Sequence, residues 1–221
     1  MDINYKAVLF DFDGTLVNSE KGILNAAQKT LVELGIEDTG QITRKAFIGA
    51  PIRVSLQSTL LLEDSQVEEA ASIYRRHYSN GGIYEAHVYD GVFDLLQKLN
   101  DAGVVCAVAS VKNEQVVRET VTYFGLGKYL AEICGSDGSA SVTGKTHIIN
   151  RAVKKLGLKK ADCLMVGDSD YDAIGAQEAG LDFCVALWGF GFDGIGDLKE
   201  IKYRYVAKDV GDLEGILLNR H

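Results

Sequence analysis

The stretch Ala7-Val8-Leu9-Phe10-Asp11-Phe12-Asp13-Gly14-Thr15-Leu16 decides how the rest of the chain is read. Its first four residues form a continuous apolar run, the pattern of a short strand buried on both faces. Two carboxylates one residue apart follow where such a strand ends. Strand alternation turns Asp11 and Asp13 to the same side. Buried charge is unfavourable, so a carboxylate pair in this position implies a cation or a shared proton. A metal ligand, a nucleophile and an acid/base can all be built from it.

Outward from that run the same pattern recurs. Val104–Ala109, Cys163–Val166 and Phe183–Leu187 read as further core strands, and Ala131–Cys134 and Tyr203–Val206 as shorter ones. Helical patterns lie between them. Val116, Val117, Thr120 and Val121 share one face before a stop at Gly125, and Ile148, Ile149, Ala152, Val153 and Leu156 share another before Gly157. This alternation predicts an α/β fold with a Rossmann-like, mostly parallel sheet.

Residues 17–85 break the alternation and carry no strand pattern. Ile23, Leu24, Ala27, Leu31 and Leu34 repeat at helical spacing, with Ser19 as cap and Gly35 as stop. Pro51 opens a short helix bearing Ile52, Leu56 and Leu60. Ser65-Gln66-Val67-Glu68 reads as a capping box opening a helix through Tyr74 and Tyr78, ended by Gly81-Gly82. We therefore expect residues 1–16 and 86–221 to form the α/β core domain and 17–85 an inserted all-helical cap domain.

Composition narrows the partners. A chain of 221 residues, 47% hydrophobic and 24% charged, can bury a sizeable core. A net charge of -8 argues against nucleic acid, whose backbone is bound through Lys and Arg. No apolar run approaches the ~20 residues that span a bilayer. Met1–Lys6 lacks the basic-then-apolar pattern of a secretory signal. Cys106, Cys134, Cys163 and Cys184 stand singly without metal or redox spacing, and the four histidines show no ligand spacing. The expectation is a cytoplasmic protein with buried free thiols, acting on a small molecule as a monomer or homodimer.

Further reactive side chains follow the predicted strands. Ser110 follows Val104–Ala109, and Asp168 and Asp172 follow Cys163–Val166 within Gly167-Asp168-Ser169-Asp170-Tyr171-Asp172. Lys145 opens the helix after Ala131–Cys134. Ligands of open parallel sheets gather at the carboxyl ends of the strands, so distant segments are expected to share one site. Duller roles stay open for each: Ser110 as a helix cap, Lys145 as a solvated lysine, Asp168 and Asp172 as helix-start acids.

In order and spacing this set resembles the haloacid dehalogenase superfamily, in its phosphatase branch with a helical cap, and the phosphoglycolate phosphatases most of all. The first motif D-x-D-G-T-L is Asp11 to Leu16, the second ends in Ser110, the third is Lys145 and the fourth, G-D-x-x-x-D, is Gly167 to Asp172. Two departures stand out: Thr146 follows the lysine where relatives often have Pro, and Asn18 stands where many have Asp. The resemblance implies an Mg²⁺-dependent phosphatase. Asp11 is then the nucleophile and Asp13 the acid/base. Asp11, the Asp13 carbonyl and Asp168 hold the metal, with Asp172 supporting. Ser110, Lys145 and the N–H groups of Phe12 and Lys112 hold the phosphoryl oxygens.

The Gly49-Ala50-Pro51-Ile52-Arg53 loop resembles the G-x-P loop that cap domains present to the site, which would let Gly49 and Arg53 contact substrate. Gly135-Ser136-Asp137-Gly138 is similar to relatives that act on nucleoside 5′-monophosphates. Gly189 to Gly194 spells G-x-G-x-x-G, but no apolar-periodic helix opens from it as a dinucleotide site requires. Its Trp188-Gly189-Phe190-Gly191 part instead resembles a turn found late in phosphoglycolate phosphatases. A β-phosphoglucomutase-like mutase, a pyrophosphatase and a catalytically idle binding protein on the same fold are the rival readings.

Overall fold

The structure, a computed structural model, describes residues 5–48, 50–137 and 144–218. In chain order they form β1 (Ala7–Phe10), β2 (Val17–Asn18), α1 (Glu20–Leu34), α2 (Arg44–Phe47), α3 (Ile52–Leu60), α4 (Asp64–Ser79) and β3 (His87–Val88). There follow α5 (Val92–Asp101), β4 (Val105–Asn113), α6 (Glu114–Phe124), β5 (Glu132–Ser136), α7 (Lys145–Leu156), β6 (Cys163–Gly167), α8 (Asp170–Ala179), β7 (Asp182–Ala186), β8 (Tyr205–Ala207) and α9 (Val210–Leu218).

Six strands make one sheet in the order β5-β4-β1-β6-β7-β8. Every neighbouring pair is parallel. β1 lies between β4 and β6, with Leu9 opposite Ala107 on one side and Met165 on the other. Alternation sends its side chains both ways. Val8 and Phe10 join the core that packs against α5, α6 and α9, whereas Ala7 and Leu9 join the core under α7 and α8. Burial on both faces is why the strand reads as an unbroken apolar run. The chain leaves β1 towards β4 and β5, then returns to β1's other side with β6. The strand order thus reverses at β1, where the carboxyl ends of β1, β4 and β6 open a crevice for a ligand.

Between β1 and the rest of the sheet, α1 to α4 and Ile83 just beyond them build a cluster of their own that includes Ile23, Leu56, Tyr74 and Tyr78. Phe190, from the loop after β7, is buried in this cluster, and Val116 of α6 packs against it. The two chain crossings run side by side, because β2 pairs antiparallel with β3 through Val17–Val88 and Asn18–His87.

Several local expectations are corrected. Residues 17–85 are not free of strand, since Val17–Asn18 forms β2; two residues are too few for alternation to show. Ser19 precedes α1, but its buried hydroxyl has no partner among the described residues, and Asn18 Oδ1 instead accepts from the Glu20 N–H at 3.2 Å. The capping box of α4 is Glu63 with Gln66, not Ser65 with Glu68: the helix starts at Asp64, and Gln66 Oε1 accepts from the Glu63 N–H at 3.0 Å. β4 also runs past Ala109 to Asn113, with its register on β5 shifting between those two residues. Helix α6 is therefore capped by Asn113, whose Oδ1 accepts from Gln115 and Val116, and not by Ser110.

Candidate active site

Asp11 continues β1 directly: its N–H donates to the Val166 carbonyl of β6 at 2.8 Å. Asp168 follows β6, and Asp172 lies in the first turn of α8. All three are buried, and their ligand oxygens lie within 4.8 Å of one another. Lys145, the first residue of α7, brings Nζ to 2.7 Å from Asp11 Oδ1 and 2.5 Å from Asp172 Oδ1. The pairing opposes the burial that disfavours its charge, and the ammonium is held more firmly than usual. Burial raises the Asp11 carboxyl to about 6, with Asp172 adding and Lys145 opposing. Asp168 is pushed well above the ordinary carboxylate range, by burial first and by Asp172 and Asp11 next. Three buried carboxylates facing a single ammonium leave an excess of negative charge, and hard oxygen donors of this kind suit a divalent cation such as Mg²⁺.

The carboxylates are aimed by their neighbours. Asp172 Oδ2 accepts from the Asp168 and Ser169 N–H groups at 3.1 Å each and from Ser169 Oγ at 2.7 Å, which turns Oδ1 to Lys145. Asp168 Oδ1 accepts from Thr15 Oγ1 at 3.1 Å, and Oδ2 from the Phe190 N–H at 2.8 Å. Trp188 Nε1 in turn donates to the Thr15 carbonyl. Glycines let these groups come together. A Cβ on Gly14 would lie 2.2 Å from Asp168 Oδ2, one on Gly189 2.2 Å from Asp168 Cβ, and one on Gly175 2.6 Å from Lys145 Cγ. Sequence reasoning gave Thr15, Trp188 and Phe190 no place in the site. The usable signal was a glycine-rich turn at the carboxyl end of a strand next to β6, which braces Asp168 rather than cradling a dinucleotide.

Asp13 faces a different cation. Lys112 Nζ donates to Asp13 Oδ1 at 2.8 Å and to the Tyr78 hydroxyl of α4 at 2.7 Å. It also lies 4.8 Å from the Tyr78 ring centroid and 5.4 Å from that of Phe12. Burial works against this ammonium, but Asp13 and Tyr78 outweigh it and the charge is held. Sequence reasoning named only the Lys112 N–H, which donates to Ser110 Oγ at 3.4 Å, and placed Tyr78 on a helix without a role in the site.

The structure thus gathers Asp11, Asp168, Asp172 and Lys145, and places Asp13 against Lys112. Ser110 is buried within β4, in the stretch where the strand shifts register on β5. The Phe12 side chain is buried, and its carbonyl accepts from Leu16 and Val17, folding the loop tightly after β1. Arg53 is exposed on α3 and pairs with Glu68 of α4, not with the carboxylates. Gly49 and Gly138 lie outside the described residues.

The sequence model of one family, described as haloacid dehalogenase-like hydrolase, matches residues 8–186, from β1 through β7. The chain belongs to the haloacid dehalogenase-like hydrolases. It is 30% identical over 215 residues to a 5′-nucleotidase of Pseudomonas aeruginosa, covering 97% of this chain and 96% of that protein. It is 31% identical to a phosphoglycolate phosphatase of Aquifex aeolicus, covering 84% of this chain and 86% of the relative. The solved structure of a haloacid dehalogenase-like hydrolase from Streptococcus pneumoniae superimposes with a TM-score of 0.86 at 30% identity, covering 96% of this chain and 98% of that one. The mostly parallel sheet of this hydrolase is the sheet its structural relatives share. Among the described residues no helix is long and apolar enough to cross a membrane.

Proposed function

We propose that this hydrolase is a cytoplasmic, Mg²⁺-dependent phosphatase of small phosphorylated metabolites, with residues 17–85 acting as a cap over the site. The observation that carries this reading is the convergence of Asp11, Asp168 and Asp172 around Lys145 at the carboxyl ends of β1 and β6. The phosphoglycolate phosphatase and 5′-nucleotidase among its relatives support that substrate class.

Asp11, Asp168 and the Asp13 carbonyl would hold Mg²⁺, with Asp172 in support; when bound, the metal offsets the negative charge of the carboxylates and of an incoming phosphate. The side chains then divide the work. An Asp11 carboxylate oxygen attacks phosphorus as the ester P–O bond breaks, giving an aspartyl-phosphate and an alcohol. Asp13 delivers the proton that the leaving oxygen takes up. Water next attacks the same phosphorus, Asp13 takes its proton, and inorganic phosphate leaves Asp11 free. Lys145 and Ser110, with the N–H groups of Phe12 and Lys112, would hold the phosphoryl oxygens while charge builds on them. Closure of the cap keeps bulk water from the intermediate.

The test is phosphate release with Mg²⁺ from phosphoglycolate, nucleoside 5′-monophosphates, sugar phosphates and pyrophosphate, with Asp11→Asn as control. Turnover of a monoester, abolished in the variant, is the expected result. Isomerisation of a sugar phosphate without phosphate release would replace this reading with the mutase, and release from pyrophosphate alone with the pyrophosphatase.

A further inference from the structure

Side-chain hydrogen bonds join the cap to the α/β part at points of different character. Beside the chain crossings, the Tyr84 hydroxyl donates to Glu119 of α6 at 2.7 Å, and the Tyr84 ring lies 4.6 Å from that of Tyr123. That contact touches nothing in the active site. The second contact, from Lys112 to Tyr78, ends on Asp13.

Lys112 is fixed at its base by the α/β part. It sits where β4 shifts register on β5, and Gly135 of β5 leaves room for it: a Cβ there would lie 2.7 Å from the Lys112 carbonyl and 2.5 Å from Glu114 Cα. Glu114 is itself held by Arg118 and Arg151, both at 2.8 Å. The backbone of Lys112 is thereby set, but its four-carbon stem retains its rotamers unless the ammonium is caught. Asp13 supplies one catch from the α/β part, and Tyr78 the other from the cap. Tyr78 is set in its turn. It is buried, its ring stacks on Tyr74 at 5.7 Å and 11°, and a Cβ at Gly82 would lie 2.9 Å from the ring.

We propose that Tyr78 is a positioning residue of the active site, its hydroxyl holding the Lys112 ammonium against Asp13 only while the cap is closed. The proposal rests on the phosphatase reading, because Asp13 must be the group that exchanges protons with the leaving oxygen. Cap closure then does more than exclude water: it completes the alignment of the acid/base. When the cap opens, Lys112 loses one of its two acceptors, and Asp13 loses the constraint on its partner.

The test uses the full chain as wild type, Tyr78→Phe, Lys112→Met and the double variant. It measures Mg²⁺-supported phosphate release, melting temperature and backbone hydrogen exchange. Tyr78→Phe keeps the ring and its stacking and removes only the acceptor. It should lower kcat about tenfold, the scale of one hydrogen bond to a charged group, with an unchanged melting temperature. Exchange should quicken in α4 and in residues 110–113. The double variant should be no slower than Lys112→Met alone, because Tyr78 acts only through Lys112. Wild-type kcat and exchange in Tyr78→Phe overturn the proposal, as do independent, multiplying losses in the double variant. A lower melting temperature with kcat unchanged also overturns it, since that is the signature of packing. If wild type hydrolyses a monoester and Asp11→Asn does not, these results bear on Tyr78 alone. If wild type releases no phosphate at all, the phosphatase reading falls and this proposal with it.

Discussion

Replacing Asp11 with Asn should stabilise the metal-free protein at neutral pH and cease to do so in acid. Burial lifts the Asp11 carboxyl from 3.8 to about 6, against the pull of Lys145. Between those values the folded protein binds more protons than the unfolded chain. The stability this group contributes is therefore fully present below the unfolded value and is lost as pH rises through about 6. Asn mimics the protonated form at every pH, so the gap between variant and wild type should widen by about 2 kcal/mol from about pH 4 to about pH 7. For a chain of this length that is ~4–8 °C in melting temperature. Removing the Asp11 charge also eases the repulsion on Asp168, which acts in the same direction, and Lys145 keeps Asp172 in either case. The assay is a thermal melt by circular dichroism in chelator across that pH range, with wild type and variant side by side. Parallel curves, or a wild type that gains on the variant as pH rises, would refute the reasoning that the carboxylates of this site are held in mutual conflict.

Mg²⁺ should raise the melting temperature of wild type at neutral pH, by about 2.7 kcal/mol of stability at a hundredfold excess over its dissociation constant; Asp168→Asn should erase the rise, and EDTA should abolish phosphate release. Asp13→Asn should keep the fold and the Mg²⁺ response while losing roughly 10²–10⁴-fold in kcat, measured by phosphate release at saturating substrate. Gly14→Ala should destabilise by more than about 1 kcal/mol in a denaturant melt and remove the Mg²⁺ response, because its φ is 82° and its new Cβ would meet Asp168 at 2.2 Å.

What could be read from the sequence, and what could not, follows from how far each interaction reaches along the chain. β1 was legible because a strand buried on both faces is apolar at every position, and parallel pairing then placed its end beside those of β4 and β6. Gly125 and Gly157 were legible as helix stops, with φ of 73° and 66°. The start of α4 was not, because Glu63/Gln66 and Ser65/Glu68 have the same spacing and local preference favours the hydroxyl. β2 and β3, at two residues each, are too short for any period.

The same distinction divides the site. Asp11, Asp13, Asp168 and Asp172 sit in short motifs and Lys145 opens a predicted helix, so these charged groups show in the sequence. The groups that aim them do not. Trp188 reaches Thr15 across 173 residues, Phe190 reaches Asp168 across 22, and Lys112 reaches Tyr78 across 34. No periodicity encodes such pairs; only the completed sheet and the seated helices bring them together. The glycines that let those elements approach are visible as letters, yet Gly14, Gly175 and Gly189 gain their meaning from the side chain that fills the missing Cβ. The motif carboxylates therefore show locally in the sequence, whereas the pair that joins α4 to β4 shows only in the folded chain. Lys112 of β4 and Tyr78 of α4 are that pair, and no spacing in the sequence announces it.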